Sequence, residues 1–526
     1  QVTYHCPPRF PDPVVERIQV QAEQLFRLLG MRDFARFDGW LLKNGNLWFS
    51  DFNPISGMEQ NSFLFQQSAR VGMSHRDLLR YMVQNACRRH GIAFPGGKAV
   101  TQGGKRLPVN VIFGGKSAER QVSLMSGTNA WLKLRRSGKY DPKPYLLDTK
   151  GDVWRLPYAM TLNHTVEEIM ATCQSARSDE ARLQALKRRV VDKLSLREGD
   201  LTEPWFLPEK MDLPTFLSRS ERVFIGLHGG MGEDGTLQKI LEDRQIPFNG
   251  SGSEASRLCM NKYKTAEALQ SLEKEGIFTA PKKIEKVSAF KGFRSVDYAR
   301  YFKRLTQELE ARHIIVKPHS DGCSAGIARL YSGKDIEKYM GFVKEHAAAI
   351  PQGVLKDQHG IIEMPSEPLQ EVMFERFIVT DKIRVIGNRL KWEPKSHWIE
   401  ITMALLGEKG GMRAFFPSIT VALGNVLTLE EKFQGGTGVN ITPPPQPFVK
   451  KSATAKAKKR MEQVAKTLGL AGYARIDAFM HVRTGELIII EANTAPALTP
   501  STVLFQQALA ENPPLEPLAF LERISP

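Results

Sequence analysis

The chain has 526 residues, 42% of them hydrophobic and 25% charged, with a formal net charge of +16. At about 150 residues per domain that length reads as three or four globular domains, and no apolar run reaches the roughly 18 residues of a membrane span. Five cysteines (Cys6, Cys87, Cys173, Cys259, Cys323) form no Cys-x-x-Cys pair, which argues against a disulfide framework or zinc site and for a reducing compartment. The basic residues are scattered, and no aromatic-interleaved motif accompanies them, so the charge does not point to nucleic acid. The densest run, Lys450 to Arg460, has the composition of a solvated helix face. No signal or transit segment is visible; the chain starts at Gln1 rather than Met and reads as a processed or truncated product, which leaves room for a targeting segment upstream.

The first element is one half of a repeat. Phe34-Ala-Arg-Phe-Asp38, Asp51-Phe-Asn53 and Leu64-Phe-Gln-Gln67 return downstream as Tyr473-Ala-Arg-Ile-Asp477, Glu491-Ala-Asn493 and Leu504-Phe-Gln-Gln507. The same order of Arg-x-Asp, strand, acid-x-Asn, turn and Leu-Phe-Gln-Gln indicates duplication. Residues 1–91 hold the upstream copy, without the chain that precedes the downstream one. Residues 92–107, rich in Gly and Lys, read as a linker.

Val109-Asn-Val-Ile-Phe113 predicts a buried strand closed by Gly114-Gly115. Strands and helices then alternate, predicting a parallel α/β domain over 108–255. Within it, the charged stretch Glu167–Asp200 has a helical period and reads as decoration. From about Ser256 the pattern is α+β, with strands near Ile314–Lys317, Glu371–Phe374, Ile399–Leu406 and Leu487–Glu491. Residues 379–398 look like an inserted hairpin or loop. The remaining boundaries fall at 256–378 and 379–526.

Four stretches carry chemistry. A strand delivers Lys317, and the small-residue loop after it, through Gly322 to Gly326, can turn its backbone N–H groups inward as an anion nest. In Arg475-Ile-Asp477 and Glu491-Ala-Asn493 the i, i+2 spacing on a strand puts both members of each pair on one face. Two carboxylates and an amide oxygen suit Mg²⁺, and Arg475 can neutralise a transferring phosphoryl group. The bland alternative is a surface salt bridge; the apolar run Leu487-Ile-Ile-Ile490 argues against it, because it drives Glu491 towards a buried strand end. His228-Gly-Gly-Met-Gly-Glu-Asp-Gly235 follows the apolar Val223–Leu227, where open α/β sheets bind ligands. Glu119, after the first strand, would either cap a helix or meet a ligand ammonium group.

These motifs, in this order over about residues 108–520, resemble the D-alanine–D-alanine ligases of the ATP-grasp superfamily. The resemblance rests on Phe113 to Gly127, His228 to Gln238, Ile246 to Gly252, Met260-Asn-Lys262 and Glu491-Ala-Asn-Thr494. Residues 1–91 are similar to the last part of the same ligase, so the whole resembles a plant-type tandem ligase with most of its first copy missing. The fold implied is an N-terminal parallel α/β domain before two α+β ATP-grasp subdomains, preceded by a partial duplicate of the C-terminal one. The resemblance implies ATP and two Mg²⁺ ions, with Mn²⁺ as a substitute, and D-alanine as substrate. By it, Lys262 and Lys317 contact ATP phosphates under the loop containing Gly322, Cys323 and Ser324. Glu375, Phe377 and Ile378 form the adenine hinge, and Glu400 binds ribose. Asp477, Glu491 and Asn493 hold metal, Glu119 takes the first substrate's ammonium, and Arg475 stabilises phosphate and oxyanion. Ser501 and Thr502 meet the second substrate's carboxylate, with His228 and Ala497 lining the site and Lys432-Phe433 on a mobile loop. It also implies peptidoglycan biosynthesis, a homodimer, no membrane and no nucleic acid, and a plastid stroma or cytoplasm.

Three positions depart from the family. Cys323 stands where a serine is usual, Phe433 where a tyrosine is usual, and Ala497 where a glycine is usual. Phe433 motivates a D-alanine–D-lactate or other mixed ligase as the alternative activity, and the three together motivate a nucleotide-binding pseudoenzyme. The intact lysines, metal ligands and Arg475 favour the ligase.

Overall fold

The structure is a computed structural model, and it describes residues 4–94, 105–197, 200–318, 325–358, 360–365, 367–386, 389–421 and 439–526. The chain divides into two compact units. One holds Gln1–Leu107 and Asp141–Arg219; the other holds Pro108–Tyr140 and Ser220–Pro526. The stretch expected as one domain over 108–255 is therefore shared between the units.

In the first unit the upstream repeat forms an antiparallel hairpin, Arg36–Leu41 with Leu47–Asn53, followed by helices Phe63–Arg70 and His75–Arg89. Ser74 starts the last helix through a capping box with Asp77, which satisfies N–H groups that the helix cannot. The charged stretch is a 29-residue helix, Val166–Leu194. It is more than decoration, because it and its flanks hold the repeat. Arg182 pairs with Asp12 at 2.9 Å, Gln66 Nε2 meets His164 Nδ1 at 3.0 Å, Arg70 donates to Asn163 at 3.3 Å, and His75 meets the Tyr158 hydroxyl. Short strands Val153–Arg155 and Glu209–Met211 run antiparallel to their neighbours, Tyr145 facing Arg155 and Val153 facing Met211. The link from Leu147 to Val153 is too short for the crossover that parallel strands need.

In the second unit, Leu107–Gly114 and Val223–Ile225 supply the parallel pairing. Their apolar runs are almost fully buried, as expected of strands covered on both faces. A four-stranded antiparallel sheet carries Ile314–Pro318 and Glu371–Arg376 at its centre, flanked by Lys282–Lys286 and Ala328–Leu330. Helices Ser295–Glu308 and Gly333–Lys344 cover it with Tyr301, Leu305, Tyr339 and Met340. A five-stranded sheet is built on Trp398–Gly407, Gly472–His481 and Leu487–Asn493. Helix Lys451–Thr467 buries Ala457, Met461, Val464 and Ala465 against it and turns Lys451, Lys456, Lys459 and Lys466 outward, while Lys458 is half-buried and pairs with Glu511 at 2.9 Å. The insertion after 379 is a hairpin, Lys382–Ile386 with Arg389–Glu393. No described helix is long and apolar enough to cross a membrane.

Candidate active site

Two neighbouring strands build the centre. Their register sets Arg475 opposite Asn493 and Asp477 opposite Glu491, with a bulge just after Asp477. A bulge re-aims side chains locally, and here it lies beside the acids. The Arg475 guanidinium grips Asp477 with two bonds, of 2.9 and 3.2 Å. The Thr402 hydroxyl, directly across on the next strand, donates to the same carboxylate. Arg475 and Asp477 side chains are 11% and 13% exposed, so this is an interior pair and not a surface salt bridge. Burial works against the Arg475 charge, but Asp477, Glu491 and Glu233 together hold its pKa above the ordinary arginine value.

The lysines converge from separate elements. Asn261 caps the helix Lys262–Leu269 by accepting from the N–H groups of Tyr263 and Lys264, at 3.1 and 3.0 Å. Lys262 thus stands in a helix first turn, an electropositive place. Its Nζ lies 3.6 Å from Glu491 Oε2. Lys317 is buried, with Nζ 2.8 Å from Glu375 Oε2. Lys282, directly across the sheet from Glu375, approaches the same oxygen at 3.5 Å. These are charge contacts without well-aligned hydrogen-bond geometry at that oxygen. Burial alone would raise the Glu375 pKa, yet the two ammonium groups hold it below the usual carboxylate value. Burial, despite Glu375, pushes the Lys282 pKa down.

A third group surrounds the glycine loop. Glu119 sits at the start of helix Arg120–Leu134 and makes no side-chain cap bond to it. Its carboxylate lies against Gly229, where an added Cβ would come within 3.1 Å of Glu119 Oε2 and of Ser117 Cβ. Gly229 also has φ +67°, a left-handed conformation that favours glycine. His228 is held from both ring nitrogens, by Glu233 at 3.1 Å and by the Ser126 hydroxyl at 2.9 Å. Ser126 also accepts the Leu498 N–H at 3.0 Å, and Asn129 donates to the Leu498 carbonyl at 2.7 Å. These bonds fix the turn carrying Ala497, whose carbonyl accepts from Thr502 at 2.8 Å. Ala497 and Thr502 are buried, and Ser501 is exposed beside them.

The structure therefore brings together Lys262, Arg475, Asp477, Glu491 and Asn493, and joins His228 to the Ala497–Thr502 turn through Ser126. Phe377 and Ile378 follow directly on the strand Glu371–Arg376, with Arg329 stacked over the Phe377 ring at 3.6 Å. Glu400 faces Phe479 on the strand Trp398–Gly407. Gly322, Cys323, Ser324, Lys432 and Phe433 lie outside the described residues. Sequence reasoning overlooked Ser126, Glu233, Lys282 and Thr402. Glu233 was visible within His228-Gly-Gly-Met-Gly-Glu-Asp-Gly235, where an acid in a glycine loop is a signal. Ser126 lies within Phe113 to Gly127, a stretch on which the resemblance rests; Lys282 and Thr402 carry no local signal.

Among the described residues no cluster of three or more His, Cys, Asp and Glu forms a metal site. The donor set at the centre is two carboxylates plus the Asn493 amide, whose buried Nδ2 has no hydrogen-bond partner. An amide with one end unengaged can turn its oxygen inward, and three hard oxygens fit Mg²⁺, which keeps waters and substrate phosphates as its other ligands.

An antiparallel four-stranded sheet carrying Lys282, Lys317 and Glu375, and a mixed five-stranded sheet carrying Arg475, Asp477 and Glu491 with Lys262 on a helix against it, make up the fold of the nucleotide-dependent ATP-grasp ligases. Solved structures of this fold include the D-alanine–D-alanine ligase from Coxiella burnetii, 20% identical with TM-score 0.50 over 80% of this chain and 94% of the other. The VanG D-Ala:D-Ser ligase from Enterococcus faecalis, 18% identical, also has TM-score 0.50, over 80% and 98%. The family model described as the D-ala D-ala ligase N-terminus matches residues 108–251, and that of the D-ala D-ala ligase C-terminus matches residues 1–84 and 387–513. The chain belongs to the D-alanine–D-alanine ligase family. A relative named D-alanine–D-alanine ligase in Chlorobaculum tepidum is 25% identical over 394 residues, covering 74% of this chain and 88% of the relative. Another of that name in Pelotomaculum thermopropionicum is 29% identical over 291 residues, covering 55% and 74%.

Proposed function

We propose that the chain joins two D-alanines at the expense of ATP, giving D-alanyl-D-alanine, ADP and phosphate. The observation that carries this is the single constellation of Lys262, Glu491, Asn493, Arg475 and Asp477, with its 3.6 Å and 2.9 Å charge contacts. A carboxylate does not react with an amine at neutral pH. Its oxygen must first attack the γ-phosphorus and release ADP, leaving an acyl phosphate; the second amine then attacks the carbonyl carbon and phosphate departs. Both steps spread negative charge, and preorganised cations in a buried site stabilise it strongly.

In this reading Asp477, Glu491 and Asn493 hold divalent metal, two Mg²⁺ ions by preference. A bound divalent ion neutralises charge on the phosphates. Lys262 and Lys317 hold phosphate oxygens, and Arg475 meets the transferring group and the tetrahedral oxyanion. Glu119 takes the first ammonium group beside Gly229, while His228, locked by Glu233 and Ser126, shapes that wall. The turn from Ala497 to Thr502, with Ser501, receives the second carboxylate. Glu375, Phe377, Ile378 and Glu400 receive the nucleoside. The product suits peptidoglycan precursor supply, in a plastid stroma or a cytoplasm, and a homodimer is the assembly we expect.

The test is product analysis by mass spectrometry after incubation with Mg-ATP, D-alanine and equimolar D-lactate. D-alanyl-D-alanine with stoichiometric ADP is expected. No dipeptide, with ATP unconsumed, would overturn the reading.

A further inference from the structure

Lys282, Lys317 and Glu375 share one face of the four-stranded sheet. Glu375 faces Lys282 on one neighbouring strand and Ile315 on the other, and Lys317 follows Ile315 by two residues. Glu375 Oε2 lies 2.8 Å from Lys317 Nζ and 3.5 Å from Lys282 Nζ. The Lys282 side chain is 5% exposed, and those of Lys317 and Glu375 are 8% exposed. Among the described residues no second carboxylate pairs with either lysine. The three buried groups therefore carry a net charge of one positive unit.

Lys317 is the nearer partner and balances the carboxylate by itself. Lys282 is the surplus cation. Taking an ammonium group out of water is strongly unfavourable unless an opposite charge and hydrogen bonds compensate, and here one carboxylate is divided between two claimants. Burial pushes the Lys282 pKa down, and the charges of Lys317 and Lys262 push it the same way. Lys262, on the helix Lys262–Leu269, is thus within electrostatic reach of Lys282. An ammonium group has three donors and no acceptor. The group that completes such a cluster is an acceptor with negative charge.

We propose that Lys282 is a third phosphate-binding lysine, which with Lys262 and Lys317 forms a cradle for the polyphosphate of the nucleotide. The inference rests on the ATP-dependent reading above and adds to it a residue outside every motif that suggested that reading. Three cations from three separate elements act together on the most highly charged part of a nucleotide, which is its phosphates and not its base. A surplus buried cation held ready for a ligand destabilises the ligand-free fold. Its removal therefore strengthens the empty protein and weakens binding, as is common where a site is preorganised for function. A lysine that serves only to balance Glu375 has the opposite signature.

The test compares the parent with Lys282→Met, which keeps most of the side-chain length and removes the charge. Urea melts without nucleotide should give the variant a midpoint at or above that of the parent. Calorimetric titration should show Mg-ATP and Mg-ADP binding roughly ten- to a hundredfold more weakly, the loss of a hydrogen bond between charged groups, with adenosine binding unchanged. KM for ATP should rise while KM for D-alanine stays the same. Three results would overturn the proposal: an unchanged Mg-ATP affinity in the folded variant, an equal loss for adenosine, which would put Lys282 at the base, or a variant that melts well below the parent or fails to fold. A parent chain that binds no Mg-ATP would overturn the ATP-dependent reading itself, and this role with it; a parent that binds and a variant that binds equally well would overturn this role alone.

Discussion

The Lys317 ammonium and the Glu375 carboxylate lie 2.8 Å apart on adjacent strands, both buried, with Lys282 3.5 Å from the same oxygen. One negative charge therefore serves two positive ones. Replacing Glu375 by Gln leaves two like charges in the interior, and breaking a buried pair costs about 3–5 kcal/mol. The urea midpoint of Glu375→Gln should fall accordingly. If phosphates occupy this site, Mg-ATP should restore more stability to the variant than to the parent.

The same contact sets an acid limit. The folded pKa of Glu375 is depressed, so the folded state binds this proton less readily than the unfolded one. Its stabilising contribution is complete above the ordinary glutamate pKa of about 4.3 and is lost as pH falls through the lower folded value. Urea melts from pH 7 downward should show a loss below about pH 4 that Glu375→Gln does not share.

Arg475→Lys keeps the charge and removes the bidentate grip on Asp477. Donors aimed at developing charge are each worth about a hundredfold or more in turnover. D-alanine-dependent ADP release should drop by that order, while the thermal midpoint changes far less than the rate. Asp477→Asn should in addition raise the Mg²⁺ concentration required for half-maximal rate.

Ser126 tethers His228 on one side and the Leu498 backbone on the other. Ser126→Ala should raise KM for D-alanine by roughly tenfold, the cost of losing about one or two hydrogen bonds. KM for ATP should be unchanged, because Ser126 touches none of the lysines. A rise in both constants would show a general loss of structure instead.

Burial pushes the thiols of Cys173 and Cys259 up to about 12 each. The thiolate is the reactive form, so both should resist iodoacetamide at pH 8 in the folded chain and react once it is unfolded in urea. Because the unfolded thiols ionise near their ordinary pKa of about 8.5, stability should decline as pH rises above that value. Peptide mapping of the alkylated chain reads out the first point, and urea melts at pH 8 and 10 the second.

Much of the fold and of the site's inventory was legible in the sequence, because it is written in local pattern. Leu487-Ile-Ile-Ile490 announced a buried strand, and i, i+2 spacing placed Arg475 with Asp477 and Glu491 with Asn493. The glycine loop after Val223–Leu227 falls at the carboxyl end of the strand Val223–Ile225, and the repeated Leu-Phe-Gln-Gln exposed the duplication. Each of these signals spans a few residues and follows from strand geometry or turn chemistry. What the tertiary structure alone decided is who meets whom over long separations. Lys282 became a partner of Glu375 because two strands pair in one register, which composition does not encode. Thr402 reached Asp477, and Ser126 reached Leu498, because distant segments pack into one core. The helix Val166–Leu194 looked like decoration until the structure showed its flanks holding the upstream repeat. The two copies of the Arg-x-Asp hairpin read almost alike in sequence. Only the tertiary structure shows that the ion pair of one, with Trp398–Gly407 paired beside it, is buried, while Arg36 and Asp38 of the other are 39% and 47% exposed.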